Sequence, residues 1–361
     1  MNTNYTYVLV HGLSGWGSYD KRYEKMPYWG MFGGDLIAYL KGQGITAVAA
    51  SVAPQGSAWD RACELYAQLV GTKVDYGEAH SKAMGHPRYG EDYSGRPLIS
   101  KFDAENKINL VGHSFGGGTI RLFAEILANG SIEEMNVTGD NSSDFFKGGK
   151  ADYIYSITTL AAPHNGTTAY LVAEDLSNDP NPPTGLYGII ENKLNDVISE
   201  STVIKKDGSR DFSDYADYDM DIDNAMALNK KISTLPNVYY FSYAASSTDK
   251  KADGTYTPEN KITEIVFRKA SRAMGAYKTT TKGGIVLDDT WFENDGLVNT
   301  ISAKAPSSSK SQEFNKNDIK KGIWNIMPTY RGDHMSMNGG LFKKHDIKPL
   351  FTEIIYMINN L

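Results

Sequence analysis

Short β-branched or aromatic runs alternate along this chain with segments of helical period. Tyr5–Val10, Ile45–Ser51, Ile108–Val111, Tyr153–Leu160 and Val238–Tyr243 read as strands. Alternation of this kind predicts an α/β architecture, a mostly parallel central sheet flanked on both faces by helices. Between Thr119 and Leu127 the apolar residues Ile120, Phe123 and Leu127 recur three and four apart, and Asn129-Gly130 follows as a stop signal. A helix is therefore predicted directly after the strand Ile108–Val111. No stretch repeats another at a fixed period, so a repeat architecture is not supported.

Two stretches break the alternation. The first, about 72–97, is rich in Gly, Tyr and His and shows neither helical nor strand period. The second, about 167–223, holds a helical run, the breaker Asp179-Pro180-Asn181-Pro182-Pro183, another helical run through Leu194, and then a very acidic patch. We read the second as a helical cap and the whole of 1–361 as a single domain carrying both insertions. Pro306–Asn317, rich in Ser and Lys, reads as a loop.

Composition removes several function classes. With 37 basic against 43 acidic residues, a net charge of −6 and no basic stripe, the chain has no footprint for a nucleic acid. Its longest apolar runs are strand-sized, so no transmembrane segment is expected. The single cysteine, Cys63, excludes an internal disulfide and reads as a buried packing thiol. Only a few polar residues precede the first strand, so no signal peptide is visible.

The candidate chemistry begins with Gly112-His113-Ser114-Phe115-Gly116, a G-x-S-x-G pattern between a predicted strand and a predicted helix. In that context the pattern is the nucleophile elbow of the α/β-hydrolase fold. The turn is so tight that only glycines fit beside the serine, whose Oγ is exposed at a helix N-terminus. A serine hydroxyl needs a base, and in this fold the acid and then the histidine follow the serine in the chain. Of the later histidines, His164 follows a strand in a turn and His345 sits in an exposed Lys-Lys-His-Asp run. His334, after the apolar segment Ile326–Tyr330 near the C-terminus, is the favoured base. Asp295, in a loop followed by Gly296, is the favoured acid, with Glu293, Asp288, Asp289 and Asp333 as rivals. The oxyanion donors would be the backbone N–H groups of Phe115, after the nucleophile, and Leu13, in the early loop His11–Gly17.

These motifs together resemble the bacterial true lipases that include the Geobacillus-type and staphylococcal enzymes. The likeness runs over most of the chain and extends to Tyr28-Trp29-Gly30, Trp59-Asp60-Arg61-Ala62-Cys63-Glu64, Val74-Asp75-Tyr76-Gly77 and Lys321-Gly322-Ile323-Trp324-Asn325. The resemblance implies a secreted hydrolase of carboxylic esters, usually lipids at an oil–water interface, with a helical lid and a structural zinc ion. Its zinc ligands would fall on Asp60, His80, His86 and Asp219, a set of four that leaves no open position for water. The family's calcium carboxylates fall here on Ser336 and Leu341, so no calcium is expected at that position. The cap is shorter than in the thermophilic relatives, which opens the alternative of an esterase or polyester hydrolase with little action on long acyl chains. Two readings from other classes are a zinc-dependent hydrolase using His80 and His86, and a non-catalytic binding protein that has kept the fold. Acyl preference and oligomeric state are not encoded in any motif.

Overall fold

Val8 and Val10 are buried in one half of the core and Tyr7 and Leu9 in the other. Successive side chains of a strand point to opposite faces, so this run needs cover on both sides of its sheet. A computed structural model of the chain supplies that cover, and the structure describes residues 3–177, 203–204, 210–211 and 213–361. Among them, seven strands form the central sheet: β1 (Thr6–Val10), β2 (Ala47–Ala50), β3 (Ile108–His113), β4 (Ile154–Leu160), β5 (Tyr239–Tyr243), β6 (Ser311–Glu313) and β7 (Trp324–Ile326). Their order is β6-β7-β5-β4-β3-β1-β2, and every neighbouring pair is parallel. Each of the five strands read from the sequence is present, four of them trimmed and the one at Ile108 extended to His113.

Helices close both faces. On one side α1 (Leu36–Gly42) and the C-terminal α5 (Lys348–Asn359) bring Leu36, Leu40, Phe351, Ile354 and Ile358 against Tyr7 and Leu9. On the other, α2 (Ala58–Val70) and α4 (Phe115–Asn129) pack Leu65, Leu69, Ile120 and Phe123 against Val8 and Val10. Cys63 belongs to this second cluster, and burial raises its thiol pKa, as befits a packing residue. No helix among the described residues is long and apolar enough to cross a membrane.

The stretch 72–97, which shows no period in the sequence, carries short elements: Lys73–Asp75 pairs antiparallel with Tyr89–Asp92 around the helix α3 (Glu78–Met84). Elements of three, four and seven residues are too short to display a period, and α3 is held partly from outside, its Ala79 and His80 N–H groups donating to the carboxylate of Glu134. One expectation needs correction: the polar stretch 306–317, read as loop, contributes β6, an edge strand that among the described residues pairs only with β7. Polar residues suit an edge, which is why composition concealed it. Of the expected cap, the helices Ala169–Ser177 and Ala216–Met220 are described, whereas the Pro-rich breaker and the run through Leu194 lie outside the described residues.

Candidate active site

Ser114 stands between the last residue of β3 and the first residue of α4, with φ 55° and ψ −131°. A left-handed φ on a non-glycine residue is strained and persists only where its surroundings enforce it. Here the crossing backbones do so: a Cβ on Gly112 would sit 2.5 Å from the Gly116 carbonyl oxygen, and one on Gly116 would sit 2.7 Å from that of His11. The Ser114 N–H donates to the Leu160 carbonyl at 2.8 Å, tying the elbow to the end of β4.

The structure brings Ser114, His334 and Asp295 together. His334 Nε2 lies 2.8 Å from Ser114 Oγ, and His334 Nδ1 lies 2.9 Å from Asp295 Oδ2. Both partners of the serine are buried, Asp295 to 1% exposure and His334 to 3%. Asp295 Oδ1 accepts the N–H groups of Leu297 (3.0 Å) and Val298 (2.7 Å), which leaves Oδ2 for the imidazole. The His334 N–H also donates to the Asp295 carbonyl at 2.9 Å, so backbone and side chain fix the pair in one orientation. Such a relay can move a proton from the serine hydroxyl to Nε2 while the carboxylate stabilises the imidazolium. Of the rival acids, Asp288 caps a short turn at Thr290, and Asp333 is occupied by Ser336 Oγ and the Glu264 N–H. His164 is buried against Arg121 and Thr159 Oγ1 instead.

The backbone that would face an oxyanion is held from behind. Phe115 is the first residue of α4, so its N–H has no acceptor within the helix. Gly12 presses on Ser114 so closely that a Cβ there would lie 2.6 Å from Ser114 Cβ. The Gly12 carbonyl is bound by His11 Nδ1 at 2.8 Å, and the buried Arg61 guanidinium donates to the His11 carbonyl and stacks on the Phe115 ring at 4.9 Å. Burial lowers the His11 pKa to about 3, so this histidine supports the loop as a neutral ring.

A mostly apolar cavity of about 290 Å³ opens onto Ser114 and His334, walled by Leu13, Tyr170, Met220, Phe267 and Val298. A smaller depression near Arg121 and Trp324 lies away from the serine and holds only about 10 Å³. The larger one has the character of a site for an apolar chain attached to a polar reacting group.

A second cluster joins α2 to α3 and to the segment before Ala216–Met220. Asp60, His80, His86 and Asp214 offer ligand atoms that all lie within 4.8 Å of one another. His80 Nε2 is 3.2 Å from Asp60 Oδ1 and 3.2 Å from Asp214 Oδ1, and His86 Nε2 is 3.2 Å from Asp214 Oδ2. A tetrahedral ion with bonds of about 2.0 Å would set its ligands about 3.3 Å apart, so the spacing fits. The contacts do not satisfy the groups as hydrogen bonds: Asp60 Oδ1, His80 Nε2 and His86 Nε2 are buried without a properly aligned partner. His86 Nδ1 donates to the Pro87 carbonyl at 2.8 Å, which directs the Nε2 lone pair into the cluster. Burial alone would lower the His80 pKa, yet Asp214 and Asp60 together hold it up at about 9. Two imidazoles and two carboxylates so placed could hold a divalent cation such as zinc.

The fourth member corrects the sequence analysis, which expected Asp219. Asp219 Oδ2 accepts the Ala58 N–H at 2.7 Å, at the N-terminus of α2, and burial raises its pKa to about 7. Asp214 instead accepts from Ser57 Oγ at 2.8 Å and faces both histidines. Three aspartates within six residues, at 214, 217 and 219, carry no spacing signal that separates them. At the expected calcium-free position, Ser336 Oγ donates to Asp333 and the Leu341 N–H to Glu264.

The family model described as "Lipase-like, C-terminal domain" matches residues 3–179 and 190–354. A lipase of Staphylococcus hyicus is 32% identical over 366 residues, covering 94% of this chain and 54% of that protein. The chain spans about half the length of the curated relatives it matches. Among solved structures, EstA from Clostridium botulinum superposes with a TM-score of 0.85 at 32% identity, over 100% of this chain and 88% of that one. Lipase 1 from Pelosinus fermentans superposes with a TM-score of 0.79 at 31% identity, over the whole of both chains.

Proposed function

This chain belongs to the lipase-like family whose model spans most of its length, and from that premise we propose that it hydrolyses carboxylic esters through a covalent acyl-enzyme on Ser114. The observation that carries this reading is the unbroken relay from Ser114 Oγ through His334 to Asp295, with separations of 2.8 and 2.9 Å, at the floor of an apolar cavity.

In the first half-reaction His334 Nε2 takes the hydroxyl proton as Ser114 Oγ attacks the ester carbonyl carbon. Asp295, anchored by two backbone N–H groups, keeps Nδ1 protonated and stabilises the imidazolium. The N–H groups of Phe115 and Leu13 donate to the developing oxyanion. His334 then gives its proton to the departing alcohol, and in the second half-reaction it activates the water that releases the acid. The acyl chain lies along the apolar walls. The substrate class is a lipid or another ester with an apolar acyl part, met at an oil–water interface or at a polymer surface, and export from the cell belongs to the same family reading.

Asp60, His80, His86 and Asp214 would hold a zinc ion with no position left for water or substrate, so it would tie α2, α3 and the segment before Ala216–Met220 together. The chemistry stays with the chain's own serine and histidine.

The test is the initial rate on an emulsified long-chain triglyceride against that on a soluble short-chain ester, with Ser114→Ala as blank. Ser114-dependent turnover of the emulsion makes the protein a lipase, and activity confined to the soluble ester makes it an esterase. Turnover that survives Ser114→Ala sinks the mechanism.

A further inference from the structure

Residue 264 grips both ends of the loop that carries His334. Its backbone N–H donates to Asp333 Oδ2 at 2.7 Å, one residue before the histidine. Its carboxylate receives three successive amides at the far end of the loop: Oε1 accepts from Leu341 (2.7 Å), Phe342 (2.8 Å) and Lys343 (3.0 Å), and Oε2 accepts from Phe342 at 2.8 Å. Glu264 is 1% exposed, Asp333 is fully buried, and a buried carboxylate is tolerated only when its lone pairs are filled in this way.

Lys343 answers in the opposite direction. Its Nζ donates to the carbonyl oxygens of Asn260 (3.2 Å), Lys261 (2.9 Å) and Thr263 (3.0 Å). Three carbonyls around one ammonium resemble the oxygen cage in which proteins hold a hard cation. The turn 260–264 and the loop 333–343 are thus locked by an anion in an amide nest and a cation in a carbonyl nest, both supplied by the chain itself. Between the two anchor points lie His334 and the cavity residue Met335, and Leu341 at the second anchor also lines the cavity.

We propose that Glu264 and Lys343 are positioning residues for His334, setting its distance from Ser114 and Asp295 by closing this loop. The inference rests on the reading of His334 as the base. Displacement of a reacting group by about 1 Å can cost up to ~100-fold in rate, so the lock acts on kcat.

Lys343→Ala is the informative variant, because Arg268 also donates to the Asn260 and Thr263 carbonyls (2.6 and 3.2 Å) and keeps the turn folded. Well below its melting temperature it should lose about tenfold in kcat on a soluble ester with KM unchanged, and Ser114 should react with an organophosphonate about tenfold more slowly. Added methylammonium or ethylammonium should restore kcat with saturation, whereas tetramethylammonium, which has no N–H to donate, should not. Glu264→Leu should lose kcat in the same manner, and Glu264→Gln, which keeps an acceptor oxygen for the amides, should retain more. A wild-type kcat in Lys343→Ala, or a loss that no primary amine repairs, overturns the proposal. His334→Ala run alongside separates the two claims: if it keeps its turnover, the reading of His334 as base fails instead.

Discussion

His113 Nε2 donates to the main-chain carbonyl of His334 at 2.8 Å, so the residue before Ser114 holds the backbone of the histidine proposed to serve it. An N–H must face a carbonyl, which makes Nδ1 of the same ring an acceptor, and there the Tyr28 hydroxyl donates at 2.6 Å. Tyr28 Oη in turn accepts the Gly12 N–H at 3.1 Å. One buried chain therefore links the loop proposed to carry an oxyanion donor, the turn at Ser114 and His334. Each member depends on the imidazole staying neutral.

Burial lowers the His113 pKa to about 3, against an ordinary value of 6.5, with the charge of His334 acting in the same direction. Between those values the unfolded chain binds a proton at this residue and the folded chain does not, so stability is lost as pH falls. The slope is about 1.4 kcal/mol per pH unit in the middle of that window. Other buried groups titrate too, so the difference from His113→Asn isolates this one. Denaturant unfolding of both proteins between pH 6 and 4 should show the shallower acid loss in the variant. Parallel curves would mean that His113 is protonated in the fold.

Asp295→Asn should abolish most turnover with little change in stability. The Leu297 and Val298 N–H groups at 3.0 and 2.7 Å compel the amide to turn its oxygen toward them. Its NH₂ then faces His334 Nδ1, which must become an acceptor, leaving the proton on Nε2 where the serine needs a lone pair. A wrong tautomer of this kind costs roughly 10³–10⁴ in kcat. Steady-state kinetics beside a thermal melt decide it: a loss below tenfold would displace Asp295 from the role, and a large fall in melting temperature would make it a scaffold.

The strands, and the strand–turn–helix at Ser114, were legible in the chain for a physical reason. Parallel strands covered on both faces are short apolar runs, and a G-x-S-x-G turn between strand and helix has few structural alternatives. His334 followed from a small number of candidates. What escaped was held by contacts distant in sequence. The ordering of 72–97 comes from pairing of very short elements and from Glu134, the edge strand Ser311–Glu313 from its one neighbour, and the choice of Asp214 over Asp219 from which carboxylate the N-terminus of Ala58–Val70 already occupies. Glu264 and Lys343 have no motif at all, because their partners are backbone groups.

The cluster of Asp60, His80, His86 and Asp214 proposed to hold zinc gives an expectation that separates two aspartates only five residues apart. If the proposed site holds zinc, Asp214→Ala should lower bound zinc, measured by atomic absorption after dialysis, from about one per chain to well below it. Asp219→Asn should keep its zinc, since an amide oxygen can still accept the Ala58 N–H and burial already holds that carboxyl at a pKa of about 7. Chelation of the parent should lower the melting temperature to that of Asp214→Ala. Loss of metal from Asp219→Asn and not from Asp214→Ala would reverse the assignment.

Gly12→Ala tests how tightly the early loop is fitted to Ser114. The new Cβ would meet Ser114 Cβ at 2.6 Å, the His113 carbonyl oxygen at 3.1 Å and Ser114 Oγ at 3.2 Å. The two nearest are a Cβ and a main-chain oxygen, not the far end of a flexible side chain, so relief requires the backbone of the loop or of the elbow to move. The loop is pinned through its Gly12 N–H to Tyr28 and its carbonyl to His11, and the elbow through Ser114 N–H to Leu160. Overpacking of this kind costs about 1–3 kcal/mol of stability. The kinetic cost should be larger in effect, about 100-fold in kcat, because the motion separates Leu13 N–H from the oxygen it would stabilise. Measured kcat and organophosphonate labelling should fall together. A variant that labels and turns over like the parent would show that the loop can retreat without consequence, and would remove Leu13 from the proposed oxyanion site.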